Sequence, residues 1–256
     1  MPVFAFANQK GGVGKTSSCV NISAALALAG HKVLLADMDP QGNATSGLGV
    51  DRGTLSSSIY DLLLDAVDVD SVCCPTPIEG LDLLPATIDL AGAEIELTSA
   101  ISRETRLRRS RDFFSRYDHV MIDCPPSLGL LTLNSLVAAD YYMVPIQCEY
   151  YALEGLSQLL KTIELVQQYL NKDLQLFGIL LTMYDGRTRL SRDVVDQVKE
   201  RFPKEMFETL IPRNVRVSES PSYGMPVVTY DPTSQGAQAY TTLTKEVIKR
   251  WQELQD

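Results

Sequence analysis

The amino-acid sequence predicts an α/β protein built on a mostly parallel, twisted sheet with helices on both faces. Short apolar runs alternate along the chain with longer segments of helical periodicity, which is the pattern of successive βαβ units. A glycine-rich loop joins the first run to the first helix, and two later runs, at 32–37 and 117–123, end in aspartate. A chain of 256 residues without repeats or linkers fits one domain, expected to span residues 1–256.

The first sixteen residues carry the clearest motif. The apolar run from Val3 to Ala7 is interpreted as a buried strand, and it leads into Lys-Gly-Gly-Val-Gly-Lys-Thr at 10–16. Glycines let the backbone curl so that its N–H groups point at phosphate oxygens, and the helix that follows adds the positive end of its dipole. Lys15 is placed to reach the β- and γ-phosphates, and the Thr16 hydroxyl to coordinate Mg²⁺. This segment therefore predicts the P-loop fold and a nucleoside triphosphate site.

The loop departs from the general P-loop pattern, G-x-x-x-x-G-K-[ST]. Gln9 stands where the first glycine should be, and Lys10 lies directly before the glycine pair. This arrangement resembles the deviant Walker A motif, K-G-G-x-G-K-[ST], and the resemblance implies that Lys10 reaches across a dimer interface to the partner's nucleotide. A glycine-rich turn with incidental lysines is the alternative. The strand before the loop and the helix after it argue against that alternative.

Composition narrows the classes of protein to consider. Hydrophobic residues make up 45% and charged residues 21%, which is ordinary for a globular protein. No run is long enough to cross a membrane and no signal peptide is evident, so we expect a cytoplasmic protein. Five cysteines without metal-ligand spacing are expected to be free thiols. The net charge of −9 argues against a globally electrostatic grip on nucleic acid, so any DNA contact needs a local patch.

After a helix at 16–29, the next strand, at 32–37, ends in Asp-Met-Asp-Pro-Gln-Gly-Asn. Carboxylates at the carboxyl end of a strand, beside a phosphate loop, lie where ligands bind in open α/β sheets. Asp39 could therefore position a water molecule or help bind hydrated Mg²⁺. The alternative is a turn aspartate that caps backbone N–H groups.

The segment from 50 to 116 is less informative. It predicts helices at 55–64 and 89–98 and a short strand at 81–84. Six arginines at 103–116 predict a surface helix with a basic face; nucleic-acid contact is one interpretation, and a solvated face is the favoured one. Four aspartates are interpreted as a solvated acidic surface: Asp61, Asp65, Asp68 and Asp70.

The strand at 117–123 ends in Asp123, followed by Cys-Pro-Pro-Ser-Leu-Gly. A hydrophobic strand that ends in aspartate is the Walker B arrangement, in which the carboxylate holds Mg²⁺ or its bound water. The two prolines stiffen a loop that could sense the γ-phosphate. His119, at the opposite end of the strand, is expected to be structural.

The remaining sequence continues the alternation of strands and helices. Strands are predicted at 141–147, 174–183 and 206–211, helices at 153–170, 193–201 and 234–254, and a structured loop at 212–224.

Four separated segments together resemble the ParA/Soj partition ATPases of the small type, which lack a helix-turn-helix extension. They are Asn8–Thr16, Asp37–Asn43, Ile122–Gly129 and Ile211–Glu219, and the resemblance covers essentially the whole chain. It implies an ATPase that takes ATP and Mg²⁺. The nucleotide would contact Lys10, Gly11, Gly12, Val13, Gly14, Lys15, Thr16, Ser17 and, around the adenine, Pro212 and Asn214. Mg²⁺ would be held by Thr16, Asp39 and Asp123, and hydrolysis would need Lys10, Lys15 and Asp39.

The resemblance also implies an ATP-dependent homodimer that binds double-stranded DNA without sequence preference. Arg187 and Arg216 match arginines implicated in that contact, although a solvated charge or a local salt bridge is the alternative for each. A ParB/Spo0J-type partner would stimulate hydrolysis and release a nucleoid-associated dimer. Met225 stands where the family often has lysine, which removes a possible phosphate contact, and Ser17 replaces the usual second threonine.

Two rival families remain open at this point. A MinD-like ATPase would bind membrane through a C-terminal amphipathic helix, but the tail 245–256 ends acidic and polar and is interpreted as packed on the body. An electron-transferring iron protein would need a cluster-ligating cysteine, and Cys124, inside a Pro-Pro turn, lacks the expected flanking glycine.

Overall fold

The computed structural model describes residues 1–149 and 152–255. Within these ranges seven strands form one sheet: β1 (Val3–Phe6), β2 (Val33–Asp37), β3 (Cys74–Pro75), β4 (Leu81–Leu84), β5 (His119–Asp123), β6 (Tyr141–Gln147) and β7 (Gln175–Thr182). Their order is β3-β4-β2-β5-β1-β6-β7, and every neighbouring pair is parallel except β3 with β4. The predicted mostly parallel sheet is confirmed.

Helices connect the strands. The α-helices of the described ranges are α1 (Lys15–Leu28), α2 (Asn43–Gly47), α3 (Ile59–Leu63), α4 (Val69–Val72), α5 (Leu90–Glu96), α6 (Arg111–Phe114), α7 (Leu130–Ala138), α8 (Ala152–Tyr169), α9 (Arg189–Arg201), α10 (Val215–Glu219), α11 (Val227–Tyr230) and α12 (Gln235–Glu253). Short 3₁₀ turns lie at Arg52–Thr54, Leu97–Ser99, Arg103–Thr105, Leu107–Ser110 and Ser220–Tyr223. The long helices α1, α8 and α12 lie where the sequence predicts them; α5 is shorter than the predicted 89–98, and α9 begins before the predicted 193–201. Helices α2, α4, α7, α10 and α11 were not predicted.

The strands are apolar throughout because both faces of the sheet are covered. Successive side chains of a strand point to opposite faces, so Val3 and Ala5 belong to one buried cluster, and Phe4 and Phe6 to the other. Helices α5, α7, α8 and α9 contribute to the first cluster, and α1 and α12 to the second. Helices on both faces are therefore confirmed, and no helix of the described residues is apolar and long enough to cross a bilayer.

The predicted arginine helix at 103–116 is wrong. The segment folds into two 3₁₀ turns followed by the single turn of α6, because Asn134 of α7 bonds its backbone: the Leu107 N–H donates to Asn134 Oδ1, and Asn134 Nδ2 donates to the Arg103 carbonyl. The expected solvated acidic surface is also corrected. Two of its four acids pair with these arginines: Asp65 with Arg106 and Arg109, and Asp70 with Arg116.

Two further predictions need correction. The helix at 55–64 is only α3, and the strand at 206–211 is absent from the sheet. Residues 206–212 follow the edge of β7 and form two isolated bridges with the chain there, at Met206 and Pro212. Between those bridges, the N–H groups of Glu208 and Thr209 donate to the carboxylate of Glu246 in α12, so they are not available to β7. His119, which we expect to be structural, is buried, and burial lowers its pKa to about 4, with His31 adding to the effect.

Candidate functional site

The carboxyl ends of the three central strands meet at one edge of the sheet. Asp37, the last residue of β2, and Asp123, the last residue of β5, lie opposite each other in register, and Phe6 of β1 lies opposite Asp123. The glycine-rich loop leaves β1 at the same edge and enters α1. Parallel pairing thus brings together three loops whose preceding strands end at Phe6, Asp37 and Asp123, far apart in sequence.

The conformation of the glycine-rich loop depends on two glycines. Gly12 has a φ of 74° and Gly14 a φ of 83°, in the left-handed region that residues with a Cβ adopt only under strain. A Cβ on Gly14 would also lie 3.4 Å from Cγ2 of Thr182. Two of the three predicted loop glycines are therefore required by the backbone path.

Side chains from neighbouring strands hold the loop in place. The Thr182 hydroxyl, at the end of β7, lies 2.8 Å from the carbonyl oxygen of Val13 and 3.2 Å from that of Ile146. Asn8 Nδ2 donates to the Pro145 carbonyl at 2.7 Å. No sequence pattern singled out Thr182, because its contact with the loop spans 169 residues of chain.

Lys15 lies inside this site. It is 7% exposed, and its ammonium donates to the Lys10 carbonyl at 3.3 Å. Burial lowers the pKa of Lys15, while the carboxylates of Asp123 and Asp39 act in the opposite direction. A buried ammonium with one neutral acceptor gains from a bound anion.

Asp123 is the most unusual group of the site. Both carboxylate oxygens are buried, and neither has a hydrogen-bond partner among the described residues. Burial, with Asp37 adding to it, raises the pKa of Asp123 well above its usual range. The nearby Thr16 hydroxyl, which does not meet hydrogen-bond geometry, and the Lys15 ammonium favour the charged form. Buried carboxylates without partners are costly unless a cation or water satisfies them. Oxygen donors at the edge of a phosphate loop suit Mg²⁺, so the residues present fit this ion.

The two aspartates at the carboxyl end of β2, Asp37 in the strand and Asp39 after it, have different roles. Asp37 accepts hydrogen bonds from the Thr45 N–H at 2.8 Å and the Thr45 hydroxyl at 2.7 Å, so it anchors the start of α2. Burial raises the pKa of Asp37 to about 6. Asp39 Oδ1 accepts from the Gln41 N–H at 2.9 Å, which is the turn-capping contact of the alternative interpretation. Among the described residues its other oxygen accepts no hydrogen bond, so capping leaves a carboxylate oxygen for a ligand.

Lys10 has a partner that the sequence did not suggest. Its Nζ lies 3.2 Å from Oε2 of Glu149, and both side chains are about half exposed. The other oxygen of Glu149 accepts from Gln147 Nε2 at 2.6 Å. Lys10 thus lies at the rim of the site rather than inside it.

The two arginines predicted to contact DNA are exposed and ion-paired. Arg187 makes two contacts with Asp185, at 2.9 and 2.7 Å, and these lower the pKa of Asp185 to about 2. Arg216 lies 2.9 Å from Glu219 and 3.3 Å from Asp231. The local salt bridge proposed as the alternative is therefore present at both positions.

Comparison with known proteins gives the family. Residues 1–176 match the family model described as an AAA domain. The chain is 56% identical over 246 residues to the sporulation initiation inhibitor protein Soj of Bacillus subtilis, covering 96% of this chain and 97% of Soj. It is 51% identical over 249 residues to the chromosome partitioning protein ParA of Myxococcus xanthus, covering 97% and 88%. The chain belongs to the Soj/ParA family of chromosome-partitioning ATPases.

Solved structures of similar chains share this fold. A chain described as cobyrinic acid a,c-diamide synthase from Mycobacterium smegmatis, with bound ADP and magnesium, superposes with a TM-score of 0.86 at 43% identity and covers 98% of this chain and 96% of its own. The cell division ATPase MinD of Pyrococcus furiosus, at 24% identity and a TM-score of 0.79 over 97% and 98%, shows the same fold.

The adenine contacts predicted for this Soj/ParA chain stay predictions. Pro212 pairs with Tyr184 in a single bridge, and the Asn214 side chain caps α10 by accepting from the Arg216 N–H at 2.9 Å. A cavity of about 410 Å³ adjoins Thr16, between α1, α2 and the segment 220–226. Neither Pro212 nor Asn214 lines this cavity.

Proposed function

We propose that residues 1–256 form one Mg²⁺-dependent ATPase domain that hydrolyses ATP to ADP and phosphate as a switch for DNA partition. The observation that carries the proposal is the buried Asp123 carboxylate, which lacks a partner among the described residues and lies beside Lys15 and the phosphate-type loop. An ATP site accounts for these unpaired carboxylate oxygens, because Mg²⁺ and the phosphates would supply the missing partners.

Each residue of the site has a task in this proposal. The N–H groups of residues 10–17 would surround the phosphates, and Lys15 would neutralise the β- and γ-phosphate oxygens. Thr16 would hold Mg²⁺, with Asp39 and Asp123 contacting it through water. When bound, Mg²⁺ would stabilise charge on the phosphates. Asp39, whose second oxygen is free of hydrogen bonds in the described residues, would orient the attacking water.

Two ATP-loaded subunits would associate face to face, with Lys10 of each contacting the other's phosphates. The dimer would bind DNA through Arg187 and Arg216. Because each subunit contributes both arginines, the dimer would carry twice as many of these charges along one face. Phosphate contacts of this kind need no base recognition and suit non-specific binding. A ParB/Spo0J-type partner would stimulate hydrolysis and release the dimer. The protein would then lie in the cytoplasm, on the nucleoid.

The MinD-like alternative is disfavoured by the packing of α12. Tyr240, Leu243 and Val247 of this helix are buried against the sheet. The ring of Trp251 lies 6.3 Å from that of Phe4 and 5.7 Å from that of Tyr141. The apolar face of the helix is thus occupied by the protein and is not free for a lipid surface.

We do not propose a cobyrinic acid a,c-diamide synthase activity for this chain. An amide synthase that takes nitrogen from glutamine through a thiol needs a cysteine of low pKa. Burial raises the pKa of all five thiols, those of Cys19, Cys73, Cys74, Cys124 and Cys148. Partition, which the relatives at 51–56% identity support, is the function we propose.

Binding of the purified protein to a random-sequence duplex, with ATP and with ADP across a salt series, tests the proposal. We expect binding only with ATP, and a steep loss of affinity as salt rises, because bound cations are released from the DNA. Absence of binding in both states would refute the DNA role and leave a nucleotide switch for another cargo. ATP-dependent sedimentation with liposomes would instead favour the MinD-like function.

A further inference from the structure

Lys10 is held by its own subunit at three points. Its N–H donates to Asn8 Oδ1 at 3.0 Å, its carbonyl accepts from Lys15 Nζ at 3.3 Å, and its ammonium contacts Glu149 at 3.2 Å. The first two contacts fix the backbone. The third is the one that a change of side-chain rotamer can break, because it lies at the end of a long flexible chain.

Glu149 is itself oriented. Gln147, the last residue of β6, donates to Oε1, which leaves Oε2 directed at Lys10. The side chains of Lys10 and Glu149 are 50% and 46% exposed, so a second subunit can reach both. The ion pair therefore lies at the rim of the site, where a partner's phosphates would compete with Glu149 for the same ammonium.

We propose that Glu149 is a positioning residue that retains Lys10 within its own subunit, and that transfer of Lys10 from Glu149 to the partner's phosphates sets the ATP concentration at which two copies associate. This inference rests on the ATP-dependent dimer proposed above. Association would break the Lys10–Glu149 contact in both subunits and leave each Glu149 carboxylate without its cation. Removing the charge of Glu149 should therefore make association easier.

The size of the effect follows from the exposure of the pair. Half-exposed ion pairs contribute little, so each transfer should shift the association equilibrium by about two- to fivefold. Glu149→Gln keeps the shape of the side chain. We expect it to lower the ATP concentration for half-maximal dimerisation, measured by light scattering, by about that factor. Glu154→Gln removes the same charge from an exposed residue of α8 and should leave the midpoint unchanged.

A second measurement reads Lys10 directly. In the ADP state the contact with Glu149 should shield the Lys10 amine from acetylation, because the carboxylate covers one side of the nitrogen at 3.2 Å. Glu149→Gln should raise the acetylation rate of Lys10, measured by mass spectrometry, about two- to fivefold. The exposed Lys161 in the same sample gives the reference rate.

The outcomes separate the two proposals. If the wild-type protein does not associate with ATP, both the dimer and this role of Glu149 are wrong. If the wild type associates and Glu149→Gln has the same midpoint, only the role of Glu149 is refuted. A shifted midpoint without a change in Lys10 acetylation would also refute it, because the effect would then act through another group.

Discussion

The charged side chains around the glycine-rich loop differ from the two surface arginines, Arg187 and Arg216, in burial and in pairing. At the loop, Lys15 and Asp123 are buried, and both Asp123 oxygens are without a hydrogen-bond partner in the part of the chain that the structure describes. On the surface, Arg187 and Arg216 are exposed, and each is paired with carboxylates of its own chain.

This difference in burial and pairing determines how much free energy each region gains from a ligand of opposite charge. Buried charges without partners gain a large free energy from a ligand of opposite charge, since the cost of desolvation is already met in the folded chain. Paired surface charges gain less, because DNA phosphates must displace Asp185, Glu219 and Asp231. We therefore expect nucleotide binding to tolerate no loss of charge, and DNA binding to be weaker and strongly dependent on salt.

The largest effect should come from removing the buried ammonium. Lys15→Ala should weaken ATP binding by more than about 100-fold, because a charged hydrogen-bond donor to phosphate is lost from a buried site. Isothermal titration calorimetry measures this, and Lys161→Ala, an exposed lysine of α8, is the matched control. Tight ATP binding by a folded Lys15→Ala protein would refute the assignment of the loop.

The second-largest effect should come from removing the carboxylate of Asp39, which is proposed to orient the attacking water. Asp39→Ala should reduce phosphate release by about 100-fold or more, the usual contribution of a general base or water-positioning group. ATP binding should persist, so the variant should accumulate as an ATP-bound dimer in light scattering. Asp173→Ala is the control on the surface. A monomeric Asp39→Ala variant that hydrolyses ATP at the wild-type rate would contradict this role.

Charge reversal on the surface should act only on DNA. Arg187→Glu with Arg216→Glu should weaken DNA binding more than about tenfold. The slope of the logarithm of the binding constant against the logarithm of the salt concentration should become shallower by about one for each lost phosphate contact. ATP-dependent dimerisation should remain. Arg201→Glu with Lys245→Glu changes the charge equally, at exposed positions outside the surface. Equal losses in both variants would show a global charge effect, and retained binding would move the patch to residues 103–116.

The smallest effect is on stability without nucleotide. Because the pKa of Asp123 is raised in the folded state, folding favours its protonated form, and stability falls as pH rises from about 4 towards the folded pKa. Asp123→Asn should remove this contribution, so that the Tm of the variant falls with rising pH by about 3 °C per pH unit less than the Tm of the wild type. Differential scanning calorimetry between pH 5 and 8 measures it.

Asp37 contributes a loss of the same sign, since its pKa is about 6, so part of the slope should remain in Asp123→Asn. Mg²⁺ with ATP should raise the Tm of the wild type at high pH more than that of the variant. Identical pH profiles for the two proteins would contradict an unpartnered, buried carboxylate.

Much of the nucleotide site could be predicted because its signals are local. Residues 10–16 are contiguous, and Asp37, Asp39 and Asp123 each lie at or just beyond the end of an apolar run, so strand polarity alone places them at one edge. Thr182 and Glu149 could not be predicted. Their contacts, with Val13 and Lys10, join segments 139 to 169 residues apart, and no spacing in the sequence marks them.

The sequence by itself determined most of the alternation of strands and helices, the glycine loop and the aspartates, because hydrophobic periodicity and glycine conformation act over a few residues. Only the tertiary structure decided which charges are paired. The arginines at 103–116 look like a basic helix in sequence, but Asn134 bonds their backbone, and Asp65 and Asp70 neutralise three of their side chains. The sequence marks Asp123 only as an acid at the end of a strand, and its burial without a hydrogen-bond partner is visible only in the folded structure. Pairing depends on distances in space between segments far apart in the chain, and those are set only when the core packs.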